Sequence, residues 1–243
     1  SGDSAVAEAA VTAATDAFGG WAALGPAGRS PYLNRLADLI DERVADIAVV
    51  ECVDMAMRHE SLRNRVIGRG ARNFRAYADL AERHEERTWS SNGTANRVQR
   101  LPAGPAVVIT PWNAPFMLAT WKVAPALAAG NTVVLKPAEW SPLSASLLAD
   151  LADEAGLPPG VLNVVQGDKL AVDRLLEHPD VKAVSFVGSS PIAQYVYETG
   201  SKHGKRVQAL GGAKNHMVVL PDADIDLAAD SAVSAAYGSA GER

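Results

Sequence analysis

The sequence predicts an α/β fold in which helices cover both faces of a mostly parallel sheet. Three observations lead there. Between Pro105 and Leu210, short β-branched runs alternate with longer helical segments, the order that builds parallel sheets. The runs at 106–109, 132–135 and 183–187 are apolar almost throughout, as strands buried on both faces must be. Before them, apolar residues recur at spacings of three and four, which places helices ahead of the sheet.

Taken in order, residues 5–18 are alanine-rich and close on Gly19-Gly20, a helix with its stop. Residues 31–57 carry Leu33, Leu36, Leu39, Ile40, Val44, Ile47 and Val50 on one helical face. A third helix spans 62–86 and ends in the charged run Glu82-Arg83-His84-Glu85-Glu86-Arg87. That run reads as a solvated face, because no second histidine follows at metal spacing. Residues 89–101 are polar and interrupted by Asn92-Gly93, a hairpin dipeptide; they read as a protruding two-stranded arm.

The alternation then runs strand 106–109, helix 118–129 with Gly130 as its stop, and strand 132–135. Ser141-Pro142 opens a helix to Gly156, with serine as the cap and proline at the first helical position. Strand 163–165, helix 170–177, strand 183–187, helix 190–203 and strand 206–210 follow. A strand at 217–220 and a helix at 225–237, capped by Asp222 or Asp224, have no sheet of their own to join. The expected division is residues 1–213 as one domain, with the arm inside it, and 214–243 as the opening of a second, incomplete one.

Composition narrows the function classes. The chain has 243 residues, a formal charge of −5, 48% hydrophobic and 21% charged residues. No basic stripe points to nucleic acid. No apolar run reaches the ~18 residues of a membrane span. The first residues lack the basic start and apolar middle of a secretory signal. One cysteine, Cys52, allows no internal disulfide and sits among apolar neighbours as a small core residue. A cytoplasmic location is the expectation. His59, His84, His178, His203 and His216 form no pair at metal spacing, so no metal is expected.

Four segments could carry chemistry. Thr110-Pro111-Trp112-Asn113-Ala114-Pro115 follows a buried strand, and the Asn113 amide can donate to an oxyanion or simply satisfy backbone in its turn. Lys136-Pro137-Ala138-Glu139 ends the next strand. A carboxylate there can accept from both hydroxyls of a ribose and repel a 2′-phosphate, or form a surface ion pair with Lys136. Phe186-Val187-Gly188-Ser189 leads into a helix whose first N–H groups favour phosphate, or is a serine-capped helix start and nothing more. Leu210-Gly211-Gly212-Ala213-Lys214-Asn215-His216 is a glycine hinge. The G-x-G-x-x-G dinucleotide fingerprint is absent from the chain.

As a set, in order and spacing, these segments and the tail Gly238-Ser239-Ala240-Gly241-Glu242-Arg243 resemble the NAD-dependent aldehyde dehydrogenases over essentially the whole chain. The resemblance implies the parallel-sheet NAD-binding domain of that fold, with N-terminal helices, a hairpin arm used in oligomerisation and the start of a truncated catalytic domain. It implies Asn113 as the oxyanion amide. It implies an NAD site lined by Thr110, Pro111, Trp112, Lys136, Glu139, Trp140, Phe186, Gly188, Ser189, Ile192 and Gly211. In that family the nucleophilic cysteine would follow Arg243, so this chain alone is expected to be inactive.

Asp168 onward, including Lys205-Arg206-Val207-Gln208-Ala209-Leu210, looks like the CoA-acylating methylmalonate-semialdehyde dehydrogenases. There Leu210 stands where hydrolytic relatives keep a glutamate, and the arginine before the cysteine, here Arg243, helps hold a substrate carboxylate. Arg69 is a further carboxylate candidate, or an ordinary surface arginine. The stretch from Trp112 to Pro142 looks more like the hydroxymuconic-semialdehyde dehydrogenases, a hydrolytic branch. The implied substrate is a small carboxylate-bearing aldehyde, with coenzyme A or water as acyl acceptor and a homodimer or homotetramer as the complete assembly. A non-catalytic NAD-binding module is the rival from another class.

Overall fold

A computed structural model describes residues 4–237. The parallel sheet has five strands in the order β5-β4-β3-β6-β7: β3 (Ala106–Ile109), β4 (Val133–Lys136), β5 (Leu162–Val164), β6 (Ala183–Val187) and β7 (Arg206–Leu210). A separate antiparallel pair, β1 (Arg87–Ser91) and β2 (Thr94–Val98), forms the arm. Asn92 and Gly93 both take positive φ, 50° and 76°, as a two-residue hairpin turn of this hand requires. Nearly every residue of the arm is exposed.

The sheet separates two apolar cores, and the period of two along each strand decides which core a residue joins. Val108, Val133 and Leu135 face α2 (Gly25–Glu42), α3 (Val44–Met55), α5 (Ile67–Glu82), α6 (Pro115–Ala128) and α7 (Leu143–Glu154). Val107, Ile109, Val134, Val184 and Phe186 face α1 (Ser4–Ala23), α8 (Lys169–Glu177) and α9 (Ser190–Lys202). Burial on both sides explains why β3 and β4 are apolar almost without interruption.

Helix limits differ from expectation where tertiary contacts override local signals. The 31–57 segment is two helices that part at Arg43, and α2 begins at Gly25, with Pro26 in its first turn and Pro31 carried inside. The expected 62–86 helix opens instead on α4 (His59–Ser61) and a π-helical turn, Leu62–Val66, and α5 ends at Glu82. Ser141 does not cap α7. Its hydroxyl donates to the Trp112 carbonyl at 3.3 Å, and the N–H of Leu143 is met by Asp54 Oδ2 from α3 at 2.9 Å. No strand forms at 217–220. Those residues lie exposed, and an extended segment without a neighbouring strand has no ladder to join. A helix does follow, α10 (Ile225–Tyr237), with no buried residue on it.

Candidate active site

The sheet register fixes where the candidate loops begin. Ile109 of β3 lies opposite Lys136 of β4 on one side and Phe186 of β6 on the other. The Thr110 N–H continues the ladder to the Lys136 carbonyl at 3.2 Å. Three loops therefore leave the carboxyl edge of three adjacent strands at one level, where ligands bind in open parallel sheets.

The central loop runs from Thr110 to Ala114. Thr110 is buried, and its Oγ1 has no hydrogen-bond partner among the described residues. Asn113 is half-buried, and its Oδ1 is likewise buried and unpartnered. The next loop is tied to this one. Besides the Ser141 to Trp112 bond, the rings of Trp112 and Trp140 lie 6.5 Å apart at 42°. Trp140 is largely exposed.

Lys136 is buried at the end of β4. Its ammonium donates to the Pro137 carbonyl at 2.8 Å and to Glu139 Oε2 at 3.3 Å. Glu139 is half-exposed. A pinned cation beside an accessible carboxylate can take hydroxyl donors and disfavours a second anion.

The third loop joins β6 to α9. The Gly188 N–H donates to the Leu210 carbonyl at 3.1 Å, and a Cβ on Gly188 would stand 2.6 Å from the buried Phe186 ring. Ser189 is the exposed N-cap of the 13-residue α9 and makes no side-chain cap. Ser190 Oγ instead accepts from the Gly212 N–H at 3.0 Å, and a Cβ on Gly211 would stand 2.9 Å from that oxygen. Ile192 is half-exposed on the first turn of α9. Uncapped N–H groups at a helix start attract anions.

Arg69, exposed on α5, has Nη1 3.9 Å from the sulfur of Met117 on α6, beside the central loop. Arg243 lies outside the described residues. Leu210 closes β7 and borders a groove of about 760 Å³ along the sheet face, which Val108, Leu118, Lys122, Ser185 and Gln208 also line. Lys122 is buried there, its ammonium 2.9 Å from Ser185 Oγ and 3.3 Å from Gln208 Oε1. Burial pulls its pKa below the usual lysine range. Asn113, Lys136 and Glu139 do not line this groove.

Sequence reasoning missed two carboxylates. Glu51 of α3 is fully buried, and its Oε2 accepts from the Phe116 N–H in the first turn of α6 at 3.0 Å. Burial pushes its pKa up to about 7, with the neighbouring Asp54 charge adding to the rise. Burial also raises the pKa of Asp54, which holds the first N–H of α7. The available signal was a lone acid inside Val49-Val50-Glu51-Cys52-Val53.

The sequence profile of the Aldehyde dehydrogenase family matches residues 1–243. The chain is 46% identical over 237 residues to malonate-semialdehyde dehydrogenase of Pseudomonas aeruginosa, covering 96% of this chain and 47% of that protein. It is 62% identical over 144 residues to malonate-semialdehyde dehydrogenase of Halalkalibacterium halodurans, covering 59% of this chain and 30% of that one. Among solved structures, a Sinorhizobium meliloti protein described as a methylmalonate-semialdehyde dehydrogenase and complexed with NAD superposes with a TM-score of 0.93 at 41% identity, over 99% of this chain and 49% of that one. The chain thus spans about half the length of the full-length relatives it matches. With family profile, relatives and fold in agreement over its whole length, the chain belongs to the aldehyde dehydrogenase family.

Proposed function

We propose that the chain forms the cofactor-binding half of an enzyme that oxidises a small carboxylate-bearing semialdehyde, such as malonate or methylmalonate semialdehyde, with NAD. The observation that carries this reading is the level edge on which the Asn113 loop, the Lys136–Glu139 pair and the start of α9 stand side by side. These residues fit NAD. Glu139 accepts from the ribose hydroxyls while Lys136 holds its carboxylate in place. The open first turn of α9 receives the pyrophosphate, and Gly188 and Gly211 let it approach. Trp112, Trp140 and Ile192 supply apolar surface around it, and Thr110 Oγ1 and Asn113 Oδ1 are buried polar atoms with unused bonding capacity.

In the complete enzyme Asn113 donates to the oxygen of the aldehyde as charge develops on it. Bound NAD supplies the hydride acceptor. The nucleophile is a cysteine outside this chain, since Cys52 is its one cysteine and lies half-buried on α3. Leu210 cannot activate water, so the acyl group passes to the thiol of coenzyme A. Arg243 and Arg69 hold the substrate carboxylate. Residues 1–213 act as the NAD-binding domain, 214–243 lead into the catalytic domain, and the exposed β1–β2 arm joins copies in a homodimer or homotetramer.

The test begins with NADH titrated against this chain by fluorescence. Absence of binding would sink the cofactor assignment. A substrate screen on the enzyme carrying its cysteine, with and without coenzyme A, then follows. Steady turnover that requires coenzyme A is expected. Rapid formation of free acid without it would overturn the acceptor, and inertness toward every semialdehyde would overturn the substrate class.

A further inference from the structure

The two helices that leave the central loops both lack a capping side chain of their own. The residue before α6 is Ala114 and the residue before α7 is Pro142; neither can accept a hydrogen bond through its side chain. Both starts are met instead from α3. Glu51 Oε2 takes the Phe116 N–H at 3.0 Å, and Asp54 Oδ2 takes the Leu143 N–H at 2.9 Å. The two acids are three residues apart, so they lie on one face of α3, one turn above the other.

These contacts are built in. Glu51 is completely buried, and the ring of Phe116, also completely buried, lies so close to Gly70 of α5 that a Cβ there would stand 2.8 Å from it. The start of α6 is therefore held in place, and Asn113 is three residues upstream of Phe116. Glu139 is four residues upstream of Leu143, in a loop tightened by the Ser141 N–H to the Ala138 carbonyl at 3.2 Å. A carboxylate at a helix start also gains from the helix dipole.

We infer that Glu51 and Asp54 are paired positioning residues: Glu51 sets the Asn113 loop through Phe116, and Asp54 sets the Lys136–Glu139 loop through Leu143. α3 is then a bracket that fixes the distance between the oxyanion amide and the ribose carboxylate. It touches neither substrate nor cofactor. The roles of those two loops rest on the proposed function; the bracket itself does not.

The experiment compares Glu51→Ala, Glu51→Gln, Asp54→Ala and Asp54→Asn with the unaltered chain by peptide-level hydrogen exchange. Glu51→Ala is expected to speed exchange across 113–118 about ten-fold and to leave 138–146 unchanged. Asp54→Ala is expected to do the converse. The amide variants, which keep an acceptor oxygen, restore protection in each case. Equal loosening of both segments by either alanine variant, or of neither, would overturn the bracket. If an alanine variant fails to fold, full protection in its amide counterpart, or its loss there, decides the point.

In the enzyme carrying its cysteine, Glu51→Ala lowers kcat about 10- to 100-fold with a smaller rise in KM for NAD. Asp54→Ala chiefly raises KM for NAD. A uniform loss in both variants would mark a structural role only and refute positioning. An unaltered enzyme that neither binds NADH nor oxidises aldehydes would refute the proposed function, while the exchange pattern would still judge the bracket.

Discussion

Glu51→Gln should make the protein more stable above neutral pH and remove part of its pH dependence. In the folded chain, burial raises the Glu51 carboxyl from an ordinary 4.5 to about 7. The unfolded chain titrates near the ordinary value, so between these limits the folded state binds more protons. Stability from this group is complete below about pH 4.5, falls as pH rises, and is lost once pH passes about 7. At about 1.4 kcal/mol per pH unit, that interval corresponds to roughly 3 kcal/mol. Glutamine keeps the acceptor for the Phe116 N–H and never ionises. The other charge facing the group is Asp54, on the same helix; α6 offers the Phe116 N–H, and the Ser144 hydroxyl of α7 stands near without completing a hydrogen bond to it. Urea unfolding at several pH values, for the protein and the variant, gives the difference directly. The two should be close at pH 5, with the variant ahead by about 2–3 kcal/mol at pH 8. Parallel stability curves from pH 5 to 8 would refute the reasoning, because they would mean that Glu51 titrates alike folded and unfolded.

Glu139→Gln should weaken NADH about ten-fold and narrow the preference for NADH over NADPH, read from paired fluorescence titrations; an unaltered preference would remove Glu139 from the ribose site. Gly160→Ala places a Cβ 2.4 Å from the Ala13 carbonyl at a φ of +84°, so a loss of about 2 kcal/mol or more is expected in urea unfolding. Arg29 is buried and donates to the carbonyls of Trp21, Ala22 and Ala128. Arg29→Met should cost about 3 kcal/mol by stranding them, and Arg29→Lys should recover only part of it, since one ammonium cannot span the same fork. Gly188→Ala must displace the buried Phe186 ring and should both raise the Kd for NADH and lower the melting temperature.

The alternation of buried strands and helices could be read from the sequence because it depends on local patterning. Strands β6 and β7 fall at their expected limits, and Asn92-Gly93 marks the arm's turn. What could not be read depends on partners distant in sequence. Ser141 looked like the cap of α7, but the nearby Trp112 carbonyl claims its hydroxyl, and Asp54, 89 residues away, does the capping. The strand expected at 217–220 had the right composition and no neighbour to pair with. At the candidate site, the position of the loops at the strand ends was visible through their prolines, glycines and paired charges. Glu51 and Asp54 were not, because a carboxylate on a helix shows nothing of the backbone N–H it will meet until the helices have packed.

The row formed by Ile109, Lys136 and Phe186 has a consequence for how this architecture can change. Peptide-to-peptide bonds set the height of that row, so side chains beyond it can be exchanged without moving the footings on which they stand. New side-chain chemistry along this edge is therefore open to loop replacement alone. Removing one residue from within β3 would be another matter: it would lower the whole Thr110–Asn113 turn by about 3.3 Å and turn each strand residue after the gap toward the opposite core.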